Sequence, residues 1–252
     1  MIVDNPFIVF LVALLLQWGA AYIGDLFRRT VRPLEKIERE DFDTVLAATL
    51  TLLALIIGFS FSMAVSRYDQ RKNYEEAEAN AIGTEYARAD LLPAEDGQRV
   101  RELLRKYIDQ RILFYRSDGP QIGEVDSDAA KLQAELWSTV VRVASAQSTP
   151  VVALAIAGMN DVLNSQGYTQ AAWWNRFPIA AWALMGLIAI STNLLLGYRE
   201  HRSDLLVLLV VPVISSIAFF LIADIDSPNG GVIRVVPHNL MAVSQSMKVP
   251  SR

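Results

Sequence analysis

The sequence predicts an all-α, four-span transmembrane helical protein with a long extramembrane helical insert between spans two and three. Three observations carry that prediction. Four windows of 18 to 23 residues contain no Asp, Glu, Lys, Arg or His. The roughly 110 residues between the second and third windows are rich in charge, yet they place apolar side chains at helical spacing. Charge and apolarity are segregated: 52% of residues are apolar and 20% charged, and the two populations hardly mix. That segregation excludes a disordered chain and argues against an ordinary soluble globule.

The first span is expected at Phe7–Gly24, 18 residues. Met1–Pro6 carries Asp4 and no basic residue, whereas Arg28, Arg29 and Arg32 follow the apolar run. A cleaved leader has the opposite arrangement, so this reads as a retained span. The second span is Thr44–Ser66 (TVLAATLTLLALIIGFSFSMAVS). The third, Phe177–Tyr198, is bracketed by Trp173, Trp174 and Tyr198, the placement of an aromatic belt. The fourth is Leu205–Ala223; Pro212 inside it predicts a kink, or a neighbour that satisfies the freed carbonyl. At about 1.5 Å per residue each window comes close to the hydrocarbon thickness of a bilayer. Residues 224–252 form a C-terminal tail.

The insert, 67–176, reads as a helical bundle. Arg67–Leu92 continues the second span without a break, until Pro93, Asp96 and Gly97 stop it. Gln98–Arg116 has a stripe of Val100, Leu103, Leu104, Tyr107, Ile108 and Ile112. Ser117–Gly123 is a turn, and Asp126–Ser148 carries Leu132, Leu136, Trp137, Val140, Val141 and Ala144 on one face. Pro150–Asn164 is amphipathic, with an apolar run too short to span. Such stripes need partners, either one another or a second subunit.

Composition excludes several functions. With no cysteine there are no disulfides, thiolate metal sites or thiol nucleophiles. Two histidines, His201 and His238, lie far apart and predict no zinc site; His201 reads as solvated. The net charge of −4 shows no basic excess, so no nucleic-acid partner is expected. No phosphate-binding glycine motif, zinc-protease motif or nucleophile elbow is present, so neither enzyme nor cofactor is predicted. The spans hold no Asp, Glu, Lys, Arg or His, which argues against proton-coupled pumps. Glu75, Glu76 and Glu78, with Arg71 and Lys72 at helical spacing, read as a solvated face rather than a cation site. Asn160 and Asp161 read as surface or intersubunit polar groups.

One constellation stands out. In the second span Thr44, Ala48, Thr51, Leu55, Phe59, Ser62 and Ser66 recur every three or four residues, making a face of small and hydroxyl side chains interrupted by Leu55 and Phe59. Hydroxyls can hydrate a pore, and an apolar pair can gate it by dewetting. Small residues also let helices pack closely, and the stripe alone fits packing better than a pore.

The stretch Leu52–Asn73 resembles the second membrane helix of bestrophins, in which a Gly-Phe pair is followed some seven residues later by Arg-Trp. Here Gly58-Phe59 precedes Arg67-Tyr68. After the last span, Asp224-Ile225-Asp226-Ser227-Pro228-Asn229-Gly230 is similar to the family's acidic run before Pro-Phe-Gly, and Glu76–Pro93 resembles the bacterial bestrophin-like branch. Gly58, Arg67, Tyr68, Asp226, Pro228 and Gly230 are the positions that match the motifs.

The resemblance implies a pentameric homo-oligomer in membrane lipid, conducting small inorganic ions through one axial pore. The family's neck, three apolar residues four apart, would fall on Thr51, Leu55 and Phe59, with Ser62 also facing the axis. Thr51 departs from the pattern and makes the neck shorter and wetter. Gly231-Val232-Ile233-Arg234 stands where animal members have calcium-binding acids, so no metal site is carried over.

For orientation, the short loops Asp25–Asp43 and Arg199–Asp204 hold seven Lys and Arg, against thirteen in the insert and three in the tail. Weighting by short loops and by raw total gives opposite answers. The resemblance places the insert in the cytoplasm, with the protein in a bacterial inner membrane. The alternative function is a non-conducting scaffold or sensor whose insert binds a partner.

Overall fold

The computed structural model describes residues 5–30, 36–117, 121–199, 205–228 and 230–248. It contains α1 (Pro6–Thr30), α2 (Lys36–Arg88), a 3-10 turn (Ala89–Leu91), α3 (Ala94–Arg116), α4 (Gln121–Ala146), α5 (Pro150–Trp174), α6 (Ile179–Arg199), α7 (Leu205–Asp226) and α8 (His238–Ser246). No strand occurs among the described residues. Four helical stretches are long and apolar enough to cross a membrane. The expected loop Asp25–Asp43 is largely helical instead, since α1 runs to Thr30 and α2 begins at Lys36. Arg32 and Glu35 of that stretch, His201 and Asn229 lie outside the described residues.

The chain forms two compact units, one of residues 1–67 and 176–234, the other of 68–175 and 235–252. The boundary after Arg67 falls inside α2, a single helix of 53 residues.

In the first unit α1 lies against α6 and α7. The approach of α1 to α6 depends on two glycines. A Cβ on Gly197 would stand 1.9 Å from the Ala21 carbonyl oxygen, and one on Gly24 would stand 2.1 Å from that of Leu194. Backbone-to-backbone contact of this kind is how helices associate where lipid offers no hydrophobic driving force. Ala21, Leu46, Leu196 and Leu208 form the apolar core of one end.

Deeper in the same unit sits a polar cluster. The Gln17 amide oxygen accepts from Asn193 Nδ2 at 3.0 Å and from the Ser215 hydroxyl, while its Nε2 donates to Ser216 Oγ at 3.3 Å. Gln17, Asn193, Ser215 and Ser216 are all buried. Pro212 does not interrupt α7: the Ser215 hydroxyl also reaches the carbonyls of Val211 (2.6 Å) and Pro212 (3.3 Å).

In the second unit α3 packs on α4 and α8, and α4 on α5. The predicted stripe of α3 is the core: Val100, Leu103, Leu104, Tyr107 and Ile108 are each at most 1% exposed. On α4 the buried face is rotated from the expected one, with Val125, Ala129, Leu136, Val140 and Val143 inside and Trp137 and Val141 exposed. Thr149 caps α5 by accepting from the Val152 N–H at 3.2 Å. Trp173, expected at an aromatic belt, is instead a core residue, its ring against Phe114 (5.2 Å) and Tyr115 (5.0 Å). Trp174 beside it is exposed.

Candidate functional site

An α-helix turns about 100° per residue, so residues seven apart share a face. On α2 the positions Leu46, Leu53, Ser60 and Ala64 are buried. Thr51, Leu55, Phe59 and Ser62 therefore fall on other sides of the helix, and all four are exposed in the single chain. Leu55 is 53% and Phe59 66% accessible, large values for side chains of this type. The Thr51 hydroxyl donates to the Ala47 carbonyl at 2.8 Å, which satisfies its proton and leaves oxygen lone pairs facing outward. A Cβ on Gly58 would meet nothing within 4 Å, so this glycine is not required by any packing inside the chain.

The motif positions at the far end of the span come together. Arg67 NH1 lies 3.3 Å from Asp226 Oδ1, and the Arg67 guanidinium stands 5.7 Å from the centre of the Phe177 ring. Asp226 Oδ2 accepts from the Phe177 N–H at 2.9 Å, and Arg176 donates to the Asp226 carbonyl at 3.4 Å. One carboxylate thus joins the end of α7 to α2 and to the start of the third span. Tyr68 is partly buried against the core of the second unit. Beyond α7, Pro228 is buried and the Gly230 N–H donates to Ser227 Oγ at 2.9 Å.

Asp224 builds the turn that follows. Its Oδ1 accepts from the Val232 N–H at 2.6 Å and its Oδ2 from the Ile233 N–H at 2.9 Å. Gly231 is required there, because a Cβ would lie 2.6 Å from the Asp224 carbonyl oxygen and 2.7 Å from Oδ1. Both aspartates are spent on backbone and guanidinium donors. Among the described residues no group of three or more His, Asp or Glu is placed to hold a metal ion.

The acidic run of α2 corrects the sequence reading. Glu75 and Glu78 are 1% and 0% exposed rather than solvated, and Arg71 is 1% exposed. Glu75 accepts from the Leu240 N–H (2.9 Å) and from Asn239 Nδ2 (2.7 Å), so it caps the start of α8. Glu78 pairs with Arg111 of α3 and accepts from the Thr169 hydroxyl at 3.1 Å. Burial, the largest influence, would lower the Arg111 pKa, but the Glu78 charge and hydrogen bond together with Tyr107 and Tyr115 outweigh it and raise it. Desolvation, then the Glu78 charge, push the Tyr107 and Tyr115 hydroxyls up. Asn160 and Asp161 are exposed. The reading missed Glu75 and Glu78 because their partners lie 33 to 165 residues away, whereas Arg71 and Lys72 are adjacent.

The helices, the buried polar seams and the paired motif ends define an all-α integral membrane protein with four apolar spanning stretches. The bestrophin-like domain matches residues 12–240, and the chain belongs to that family. The fold is similar to crystal structures of a bacterial bestrophin homolog from Klebsiella pneumoniae. One variant of that protein superposes with a TM-score of 0.66 at 14% identity, covering 96% of this chain and 97% of that one. Another structure of it gives 0.63 at 16% identity, with 96% and 95% covered. No protein of curated function matches the chain at the sequence level.

Proposed function

We propose that the chain is one subunit of a homo-oligomeric, pentameric ion channel, with an axial pore lined by α2. Thr51, Leu55, Phe59 and Ser62 face the axis. Leu55 and Phe59 form a constriction that controls wetting, and Thr51 and Ser62 offer hydroxyl oxygens to a partly dehydrated ion. The single observation that carries this reading is the exposure of the whole stripe, while the opposite side of the same helix is consumed by the fold. Family membership supports it, since bestrophins are channels. The subunit has no catalytic role on this reading. Its partners are membrane lipid, small inorganic ions and further copies of itself, in a bacterial inner membrane with residues 67–176 in the cytoplasm.

Liposome flux of the reconstituted protein tests the proposal. Leu55→Ala and Phe59→Ala should each raise ion flux by widening the constriction. Flux unchanged by both, or a monomer by subunit counting, overturns it.

A further inference from the structure

Glu85 is a carboxyl buried without a hydrogen bond. It lies on α2, is 0% exposed, and neither of its oxygens finds a partner. Such a group is costly as an anion and much cheaper as a neutral acid. Its surroundings are tight. A Cβ on Gly158 of α5 would lie 2.1 Å from Glu85 Oε2 and 2.4 Å from Arg88 NH1. With both side chains where they stand, only glycine fits at that point. The guanidinium is therefore a near neighbour of the carboxyl, yet NH1 donates to the Leu154 carbonyl at 3.4 Å instead. A cavity of about 180 Å³ lined by Asn80, Ala81, Thr84, Arg88, Gly158 and Asp161 reaches the same glycine.

We infer that Glu85 is a proton-binding site of the helical unit, whose ionisation draws Arg88 from the Leu154 carbonyl onto the carboxylate. The charged groups bearing on it are Arg88 of its own helix, which favours ionisation, and Asp161 of α5, which opposes it. Asp90, on the 3-10 turn that packs against α5, is bound to Arg101 of α3. Desolvation dominates and pushes the Glu85 carboxyl up to about 8. The exchange takes place between neighbouring turns of α2 and α5, and it holds whether or not the chain conducts.

The sign of the pH effect follows. The unfolded chain releases this proton near the ordinary value of 4.5, while the fold keeps it to about 8. Stability therefore falls as pH rises through that window and is level above it.

Infrared difference spectra of the full-length protein in detergent, taken between about pH 6 and about pH 10, read the site directly. The expected result is a protonated-carboxyl band that is lost with a midpoint near 8 and is absent in Glu85→Gln. Arg88→Gln should move the midpoint up and Asp161→Asn should move it down. A band that survives in Glu85→Gln, or a midpoint in the ordinary carboxylate range, overturns the assignment. So does a midpoint that ignores both neighbouring substitutions. Melting curves against pH give a second reading, in which Glu85→Gln flattens the slope. None of these readouts depends on ion flux, so failure of the channel reading and failure of this one are distinguishable.

Discussion

Replacing Arg111 by methionine tests how the helical unit holds its interior charges. Arg111 and Glu78 are 1% and 0% exposed, so neither can be rescued by water. Glu78 accepts from Arg111 through Nε and NH2 and from the Thr169 hydroxyl. Without Arg111 the buried carboxylate loses both guanidinium donors and keeps the Thr169 hydroxyl. Removing one member of a buried pair costs about 3–5 kcal/mol, mostly the penalty of the charge left behind. For a chain of this length about 1 kcal/mol moves the melting temperature by roughly 2–4 °C. Arg111→Met should therefore lower it by on the order of 10 °C.

Glu78→Leu should cost less. Arg111 keeps Asp126, whose Oδ1 lies 3.6 Å from NH1, and the Phe114 ring, whose centre lies 4.5 Å from the guanidinium carbon. The double variant Glu78→Leu with Arg111→Met removes both charges and should recover most of the loss. Thermal melting in detergent, read as a double-mutant cycle, is the assay. If Arg111→Met melts close to the unmodified protein, or the double variant is no better than the sum of the singles, the pair is not holding the core as described.

Two further substitutions probe the membrane unit. Gly197→Ala puts a methyl 1.9 Å from the Ala21 carbonyl oxygen and must push α1 off α6, costing about 1–3 kcal/mol by melting. The same change at Gly58, where nothing lies within 4 Å, should leave subunit stability nearly unchanged and serves as the control. Gln17→Leu strips partners from Asn193, Ser215 and Ser216 together and should cost about 1–3 kcal/mol in the same assay. A neutral result there would mean that water or a rearranged Asn193 replaces the amide.

The spans and the α3 stripe were legible because both are local patterns: a charge-free window, and a period of 3.6. What sequence could not show was which polar residues turn inward. Glu76 and Glu78 sit two positions apart in one acidic run, yet one is exposed and the other fully buried. The difference lies with Arg111 and Thr169, which the fold brings from 33 and 91 residues away. Trp173 was misread because its position before a span suggests an interface, whereas the bundle supplies Phe114 and Tyr115 around it. The tail gave no strong signal, being short and mixed in polarity. Its helix α8 is fixed instead by Glu75 at one end and by the Tyr86 and Arg105 donors to the Met247 carbonyl at the other.

The choice between a pore and a packing seam on α2 turns on what each side of that helix already touches. A seam of small residues is explained when its neighbour is present. That condition is met at Gly24 and Gly197, where opposing backbones fill the space a side chain would need. It is not met at Gly58, which opens onto empty space, nor on the stripe, where Leu55 and Phe59 expose more than half of their surface. Packing within the subunit is therefore removed as the reason for the pattern, which leaves lipid, another copy of the chain, or water. Lipid accounts for Leu55 and Phe59 but gives no use for Thr51 and Ser62. The Thr51 hydroxyl already donates to the Ala47 carbonyl, so it needs no further partner against lipid, a second copy or water. On the proposed reading, water along an axis shared by several copies takes in all four residues together. It hydrates the hydroxyls and withdraws at the apolar pair, and this is why truncating Leu55 or Phe59 is expected to increase flux rather than abolish it.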